Sequence, residues 1–99
     1  MKIAINGFGR IGRVIARINS NYTKFKITNI NDLVPSAENM AYLFKYDSTY
    51  GKFDGKVSVN KNYLSINSNK ILYSSFSNIE KIPFEDRVDV LIDSSGDSR

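Results

Sequence analysis

Apolar and polar positions follow two different periods along this chain. Lys2-Ile3-Ala4-Ile5 is a compact, β-branched run stopped by Asn6-Gly7, which predicts a short buried strand over residues 2–5. From Arg10 to about Ser20 the period lengthens. Ile11, Val14, Ile15 and Ile18 fall at i, i+3, i+4 and i+7, one apolar stripe of a helix, with Arg10, Arg13 and Arg17 expected on the opposite face. Asn19-Ser20-Asn21 supplies the polar stop. Lys26 to Ile30 predicts a second strand with Asn31-Asp32 at its C-terminal end. Pro35-Ser36 then opens a second helix reaching to about Tyr46, with Met40, Leu43 and Phe44 on its core face. Strand, helix, strand, helix is the βαβ pattern of a parallel sheet.

The middle of the chain changes character. Lys56–Val59, Tyr63–Ile66 and Ile71–Ser74 alternate or are rich in β-formers, and Asn60-Lys61-Asn62 and Asn67-Ser68-Asn69-Lys70 separate them. They read as short antiparallel strands joined by tight polar turns. Asp47–Gly51 reads as a loop whose side chains cap its own backbone. Pro83 breaks the next stretch, and Val88–Asp93 is expected as a strong buried strand running into Ser94-Ser95-Gly96. The fold class is therefore α/β: the first half of a Rossmann-type parallel sheet, with short antiparallel strands inserted before the last parallel strand. Without repeats or low-complexity linkers, residues 1–99 read as one N-terminal portion of such a domain.

The chemistry concentrates in Gly7-Phe8-Gly9-Arg10-Ile11-Gly12, a Gly-x-Gly-x-x-Gly that follows a predicted strand and opens a predicted helix. That context turns a weak pattern into a dinucleotide-binding signature. Gly7 makes the tight turn, Gly9 lets backbone approach a pyrophosphate, and Gly12 lets the helix pack closely on the strand. The free N–H groups of the first helical turn, at Arg10 and Ile11, then point at the phosphates. The bland alternative is a glycine-rich turn with no ligand. Asp32 stands 20 positions beyond Gly12, where an acid accepts hydrogen bonds from the adenosine ribose and repels a 2′-phosphate, favouring NAD over NADP. Its alternative is a capping or loop aspartate. Ser94, Ser95 and Gly96, beyond the C-terminal end of the last strand, are expected to line the same crevice unless they form an ordinary strand-end turn.

Composition narrows the chemistry. The 99 residues contain no cysteine and no histidine, which removes disulfides, thiolate metal sites, a cysteine nucleophile and the usual neutral-pH proton shuttle. The chain by itself is therefore expected to bind rather than to catalyse. Lys and Arg total 14 against 10 Asp and Glu, a net charge of +4 spread from Lys2 to Arg99, with Lys24 and Lys26 its nearest approach to a cluster. This suits an anionic ligand but gives little support to nucleic-acid binding. Neither a signal peptide nor a run of transmembrane length is legible, so the expectation is a cytoplasmic protein that contacts no membrane.

The same residues carry a resemblance. Ile5-Asn6-Gly7-Phe8-Gly9-Arg10-Ile11-Gly12-Arg13, Ile30-Asn31-Asp32, Lys45–Phe53 (KYDSTYGKF) and Asp93-Ser94-Ser95-Gly96 are similar, in register along the whole chain, to the glyceraldehyde-3-phosphate dehydrogenase family. Lys45–Phe53 resembles a stretch characteristic of that family rather than of Rossmann folds at large. The resemblance implies NAD as cofactor, bound by Asn6, Gly7, Phe8, Gly9, Arg10, Ile11, Gly12, Asn31, Asp32, Ser94, Ser95 and Gly96. It also implies a parent enzyme that oxidises and phosphorylates a phosphorylated aldehyde, assembles as a homotetramer, and carries its catalytic cysteine and histidine downstream in a domain absent from this chain. One departure stands out: the family often has Glu-Arg-Asp-Pro with the arginine near the adenine, and Phe76-Ser77-Asn78-Ile79 occupies that stretch here, so that Ser77 replaces the arginine. A different class of reading is a stand-alone, non-catalytic nucleotide-binding module for NAD or RNA, which steep salt dependence of RNA binding would distinguish.

Overall fold

The structure, a computed structural model, describes residues 1–19, 25–34, 36–47, 51–53, 55–85 and 87–94. Strands β1 (Lys2–Asn6) and β2 (Lys26–Asn31) flank helix α1 (Arg10–Asn19), and helix α2 (Ala37–Lys45) follows. A two-stranded ribbon, β3 (Tyr46–Asp47) with β4 (Gly51–Lys52), leads into the meander β5 (Val57–Asn60), β6 (Tyr63–Ile66) and β7 (Asn69–Ser74). A 3-10 turn (Ile79–Lys81) precedes β8 (Val90–Asp93). Six strands form one sheet in the order β5-β6-β7-β2-β1-β8. β7, β2, β1 and β8 run parallel, while β5, β6 and β7 are antiparallel neighbours. β7 thus serves two roles, closing the meander and forming the third parallel strand of the Rossmann half.

Local chemistry explains the joints. Ser36 caps α2, its hydroxyl accepting from the Asn39 N–H at 3.1 Å. Lys61-Asn62 and Asn67-Ser68 are two-residue hairpin loops. Asn67 and Ser68 both take positive φ, 49° and 74°, the backbone of the turn that matches strand twist. The core lies under α2: Met40 and Phe44 bury there with Ile5, Ile27, Ile30, Leu64 and Ile71. Phe44 stacks on Phe8 at 5.7 Å and meets Phe53 at 4.9 Å between ring centroids.

Four expectations from the pattern need correction. Ile18 is 48% exposed, because α1 turns Gly12 and Ala16 inward, the small residues that a close helix–strand approach selects. Arg17 does not face outward. Its guanidinium lies 5.5 and 5.6 Å from the Phe44 and Phe53 ring centres, and Nη2 donates to the Phe44 carbonyl (3.2 Å) and the Gly51 carbonyl (2.6 Å). Leu43 is exposed while Met40 and Phe44 bury, because the core face of α2 is narrower than the stripe suggested. Finally, β8 is shorter than Val88–Asp93, and Val90 and Leu91 are 39% and 41% exposed, because among the described residues only β1 pairs with β8. Asp47 and Gly51, the two ends of the expected loop, pair with each other across the β3–β4 ribbon, while Ser48 to Tyr50 lie outside the described residues, as do Ser20, Asn21, Lys24 and Pro35.

Arg17 joins α1 to the end of α2 and to β4 through a charged donor and two rings. Arg17→Ala should therefore lower unfolding free energy by about 2–4 kcal/mol, from charged hydrogen bonds and cation–π contact together, read as a lower urea midpoint at unchanged slope. A second tie joins the sheet's first and last strands. The Lys2 N–H donates to Asp89 Oδ2 at 2.8 Å and the Asp89 N–H donates to the Lys2 carbonyl at 2.8 Å. The Lys2 N–H holds the Asp89 carboxyl below its ordinary value, with Arg87 and the N-terminus adding to the effect against a smaller desolvation penalty. A depressed folded value stabilises above the unfolded value near 3.9 and is lost as pH falls below it. Asp89→Asn should flatten the acid side of the stability profile below about pH 4; a profile unchanged from the parent would contradict the tie.

Candidate functional site

The sheet order reverses at β1: β2 lies on one side of it and β8 on the other. Ligands of open α/β sheets bind in the crevice beyond the strand C-termini at such a switch point. The residues singled out from sequence converge there. Gly7, Phe8 and Gly9 leave the end of β1, Arg10, Ile11 and Gly12 open α1, Asn31 ends β2 with Asp32 just beyond it, and Ser94 follows β8. Ser95 and Gly96 lie outside the described residues.

The glycine turn is held from both sides. Gly7 has φ +91°, a conformation that a side chain rarely adopts, and its N–H donates to the Asn31 carbonyl at 2.7 Å. The Ser94 hydroxyl donates to the Gly7 carbonyl at 2.5 Å and the Ser94 N–H to the Asn6 carbonyl at 2.8 Å. Ser94 is buried, so its hydroxyl acts on the turn itself. Gly12 stands against that turn: a Cβ there would lie 2.9 Å from the Gly7 carbonyl oxygen, 3.1 Å from Ile5 Cγ2 and 3.2 Å from Phe8 Cδ1. The first hydrogen bond of α1 runs from the Arg13 N–H to the Gly9 carbonyl at 3.0 Å. The N–H groups of Arg10, Ile11 and Gly12 precede it and have no carbonyl one turn back within the helix, which leaves a cluster of donors for an anion.

Asp32 is anchored through both oxygens. The Phe8 N–H donates to Oδ2 at 2.6 Å and the Val34 N–H to Oδ1 at 3.1 Å. The first is a short charge-assisted bond that links the acid to the glycine turn. Each carboxylate oxygen retains acceptor capacity beyond its one protein donor. The Asp32 N–H donates in turn to the Ser74 carbonyl at 3.1 Å.

Asn31 does different work. It is 2% exposed, and its amide is saturated by protein. Nδ2 donates to Asn6 Oδ1 (2.9 Å) and to the Phe76 carbonyl (2.9 Å), while Oδ1 accepts from Ser74 Oγ (2.8 Å) and the Phe76 N–H (2.9 Å). Asn6 Nδ2 reaches Asp93 Oδ1 at 3.3 Å. Asn6 and Asn31 therefore lace the ends of β1, β2, β7 and β8 together beneath the crevice. Ser77, at the departure from the family pattern, is exposed.

Sequence reasoning missed the wall that β7 contributes. The strand pattern gives Tyr73 and Ser74 no special role, yet the Tyr73 hydroxyl donates to the Val34 carbonyl at 2.5 Å and Ser74 meets both Asn31 and Asp32. The available signal was a hydroxyl pair at the end of a parallel strand. Beside this wall an open depression of about 340 Å³ runs between Ser36, Lys61 and Phe76. Among the described residues no group of three or more His, Cys, Asp or Glu is placed to hold a metal ion, and no helix is long and apolar enough to cross a membrane.

Comparison with known proteins agrees with the geometry. The family model described as glyceraldehyde 3-phosphate dehydrogenase, NAD binding domain, matches residues 1–99. The chain is 41% identical over 97 residues to glyceraldehyde-3-phosphate dehydrogenase 3 of Kluyveromyces marxianus and to glyceraldehyde-3-phosphate dehydrogenase of Salmonella typhimurium (strain LT2), and 40% identical to glyceraldehyde-3-phosphate dehydrogenase A of Escherichia coli (strain K12). Each alignment covers 97% of this chain and 29% of the relative, so the chain spans under a third of the length of the curated relatives it matches.

The packing of Gly12 against the glycine turn gives a test independent of any ligand. Gly12→Ala forces its Cβ onto a backbone oxygen, and the turn or the helix must shift. A loss of about 1–3 kcal/mol is expected, as for other overpacked sites, measured by chemical denaturation; a neutral substitution would contradict the close approach.

Proposed function

The chain belongs to the glyceraldehyde-3-phosphate dehydrogenase family, as its NAD-binding domain, and from that premise we propose that the crevice at the ends of β1, β2 and β8 holds the adenosine and pyrophosphate of NAD. The observation that carries this reading is Asp32. Its carboxylate is fixed by the Phe8 and Val34 N–H groups and keeps acceptor capacity on both oxygens. In the proposal these accept from the adenosine ribose hydroxyls, and a 2′-phosphate meets like charge instead. The donors of Arg10, Ile11 and Gly12 receive the pyrophosphate, with Gly9 giving the backbone room to approach. Asn6, Asn31 and Ser94 hold the crevice in shape from below. Phe8 does so through its N–H and by seating its ring on Phe44.

When bound, the nicotinamide supplies a hydride acceptor. Nothing among the 99 residues supplies a cysteine or histidine, so in this reading the chain binds and orients the cofactor while the nucleophile and base come from elsewhere in the parent enzyme. That enzyme oxidises and phosphorylates glyceraldehyde 3-phosphate as a cytoplasmic homotetramer, and residues 1–99 form the N-terminal portion of its dinucleotide domain.

Titration of NAD and NADP against the intact gene product tests the assignment. NAD should bind more tightly than NADP. Asp32→Asn removes a charged acceptor and turns an NH2 toward one of two backbone donors. It should weaken NAD by about 1.5–3 kcal/mol, roughly ten- to a hundredfold in Kd, and narrow the preference over NADP. Equal affinities for the two cofactors, or an unchanged Kd in the variant, would overturn the role given to Asp32.

A further inference from the structure

The backbone of the loop that carries Asp32 is tethered to the end of β7. Asp32, Leu33 and Val34 follow β2, and Leu33 is exposed. Within the loop, the Asp32–Val34 bond is local and fixes the carboxylate only relative to its own backbone. Outward, the carboxylate itself is held by the Phe8 N–H at 2.6 Å, and the loop backbone is held by β7: the Ser74 carbonyl accepts from the Asp32 N–H at 3.1 Å, and the Tyr73 hydroxyl donates to the Val34 carbonyl at 2.5 Å, with the Asp32 carbonyl a longer 3.4 Å away. Tyr73 is 5% exposed, its ring packed in the core, so the position of its hydroxyl is set by the sheet. The bond is part-buried and joins residues 39 positions apart, so it ties the loop to the sheet rather than to itself.

We propose that Tyr73 is a positioning residue for the cofactor-binding acid: its hydroxyl, by holding the Val34 carbonyl, sets the backbone that aims the Asp32 carboxylate. This rests on the assignment of Asp32 to the adenosine ribose and deepens it. Tyr73 touches no ligand in this scheme. It acts on affinity through Asp32 alone, and so its influence disappears when Asp32 is disabled.

The probe is AMP, which carries the adenosine ribose and no nicotinamide, titrated against the intact gene product. Tyr73→Phe keeps the ring in the core and removes only the hydroxyl. AMP should bind about two- to tenfold more weakly, the range of one neutral hydrogen bond, and 4-aminophenylalanine at position 73, which restores a donor, should recover the affinity. In an Asp32→Asn background the same change at Tyr73 should have no further effect. Amide hydrogen exchange at Phe8 and Val34, whose N–H groups bind Asp32, should accelerate in Tyr73→Phe relative to Ile5 and Ile30 in the sheet. An unaltered AMP affinity, or an equal penalty with and without Asp32, would overturn the proposal. Failure of the parent protein to bind AMP would defeat the ribose assignment instead. The exchange measurement then still decides on Tyr73: selective acceleration supports its hold on the loop, and uniform or unchanged exchange removes it.

Discussion

One buried amide organises the crevice end of this sheet. Asn31 sits where three parallel strands finish, and its four hydrogen-bonding positions are filled by Asn6 of β1, Ser74 of β7 and both backbone groups of Phe76. Parallel strands end with backbone groups that no longer have ladder partners, and the crevice needs those ends open to receive a ligand. A saturated side-chain amide resolves the conflict by joining the strand ends from beneath. Because the amide is almost fully buried, leaving one of its bonds unmade costs more than the bond itself contributes. The glycine turn above, the acid beside it and the β7 wall all take their positions from this anchor.

Much of this was legible in the sequence, for physical reasons that differ from element to element. β1 and the turn after it were legible locally, since a short β-branched apolar run predicts a strand and glycine is the residue that readily takes the positive φ found at Gly7. The meander was legible because Asn67-Ser68 can adopt the left-handed backbone of a two-residue hairpin and the flanking residues alternate. Where the reading failed, the determinant was tertiary. Ile18 belongs to a helical stripe, but close approach at Gly12 and Ala16 rotated α1 past it. Arg17 looked like a solvent-facing cation, yet its planar head found two phenyl faces and two carbonyls that come together only when α2 and β4 are in place. No local pattern encodes such a meeting.

The candidate site divides in the same way. Backbone roles were legible because glycine spacing reports them directly: Gly7 at positive φ and Gly12 against the Gly7 carbonyl both appear as the motif implies. Side-chain roles were less so. Asn31 and Ser94 lie in stretches expected to bind the cofactor but spend their polar side-chain atoms on the protein. Tyr73 stood outside every motif because its partner, the Val34 carbonyl, is 39 positions away along the chain. A sequence motif marks the neighbourhood of a site; which of its members face outward is decided by how many partners the fold has already given them.

The bond from the Ser94 hydroxyl to the Gly7 carbonyl joins residues 87 positions apart. The meander hairpins close loops of two residues, whereas closing β8 onto β1 draws in nearly the whole chain. The difference in loop-closure entropy is about 3 kcal/mol, so the local hairpins are inexpensive to close and the β1–β8 junction is the costlier closure of the two. The crevice straddles that junction. A ligand seated there engages only molecules that have completed their assembly, and by mass action it withdraws them from the pool of partly folded chains.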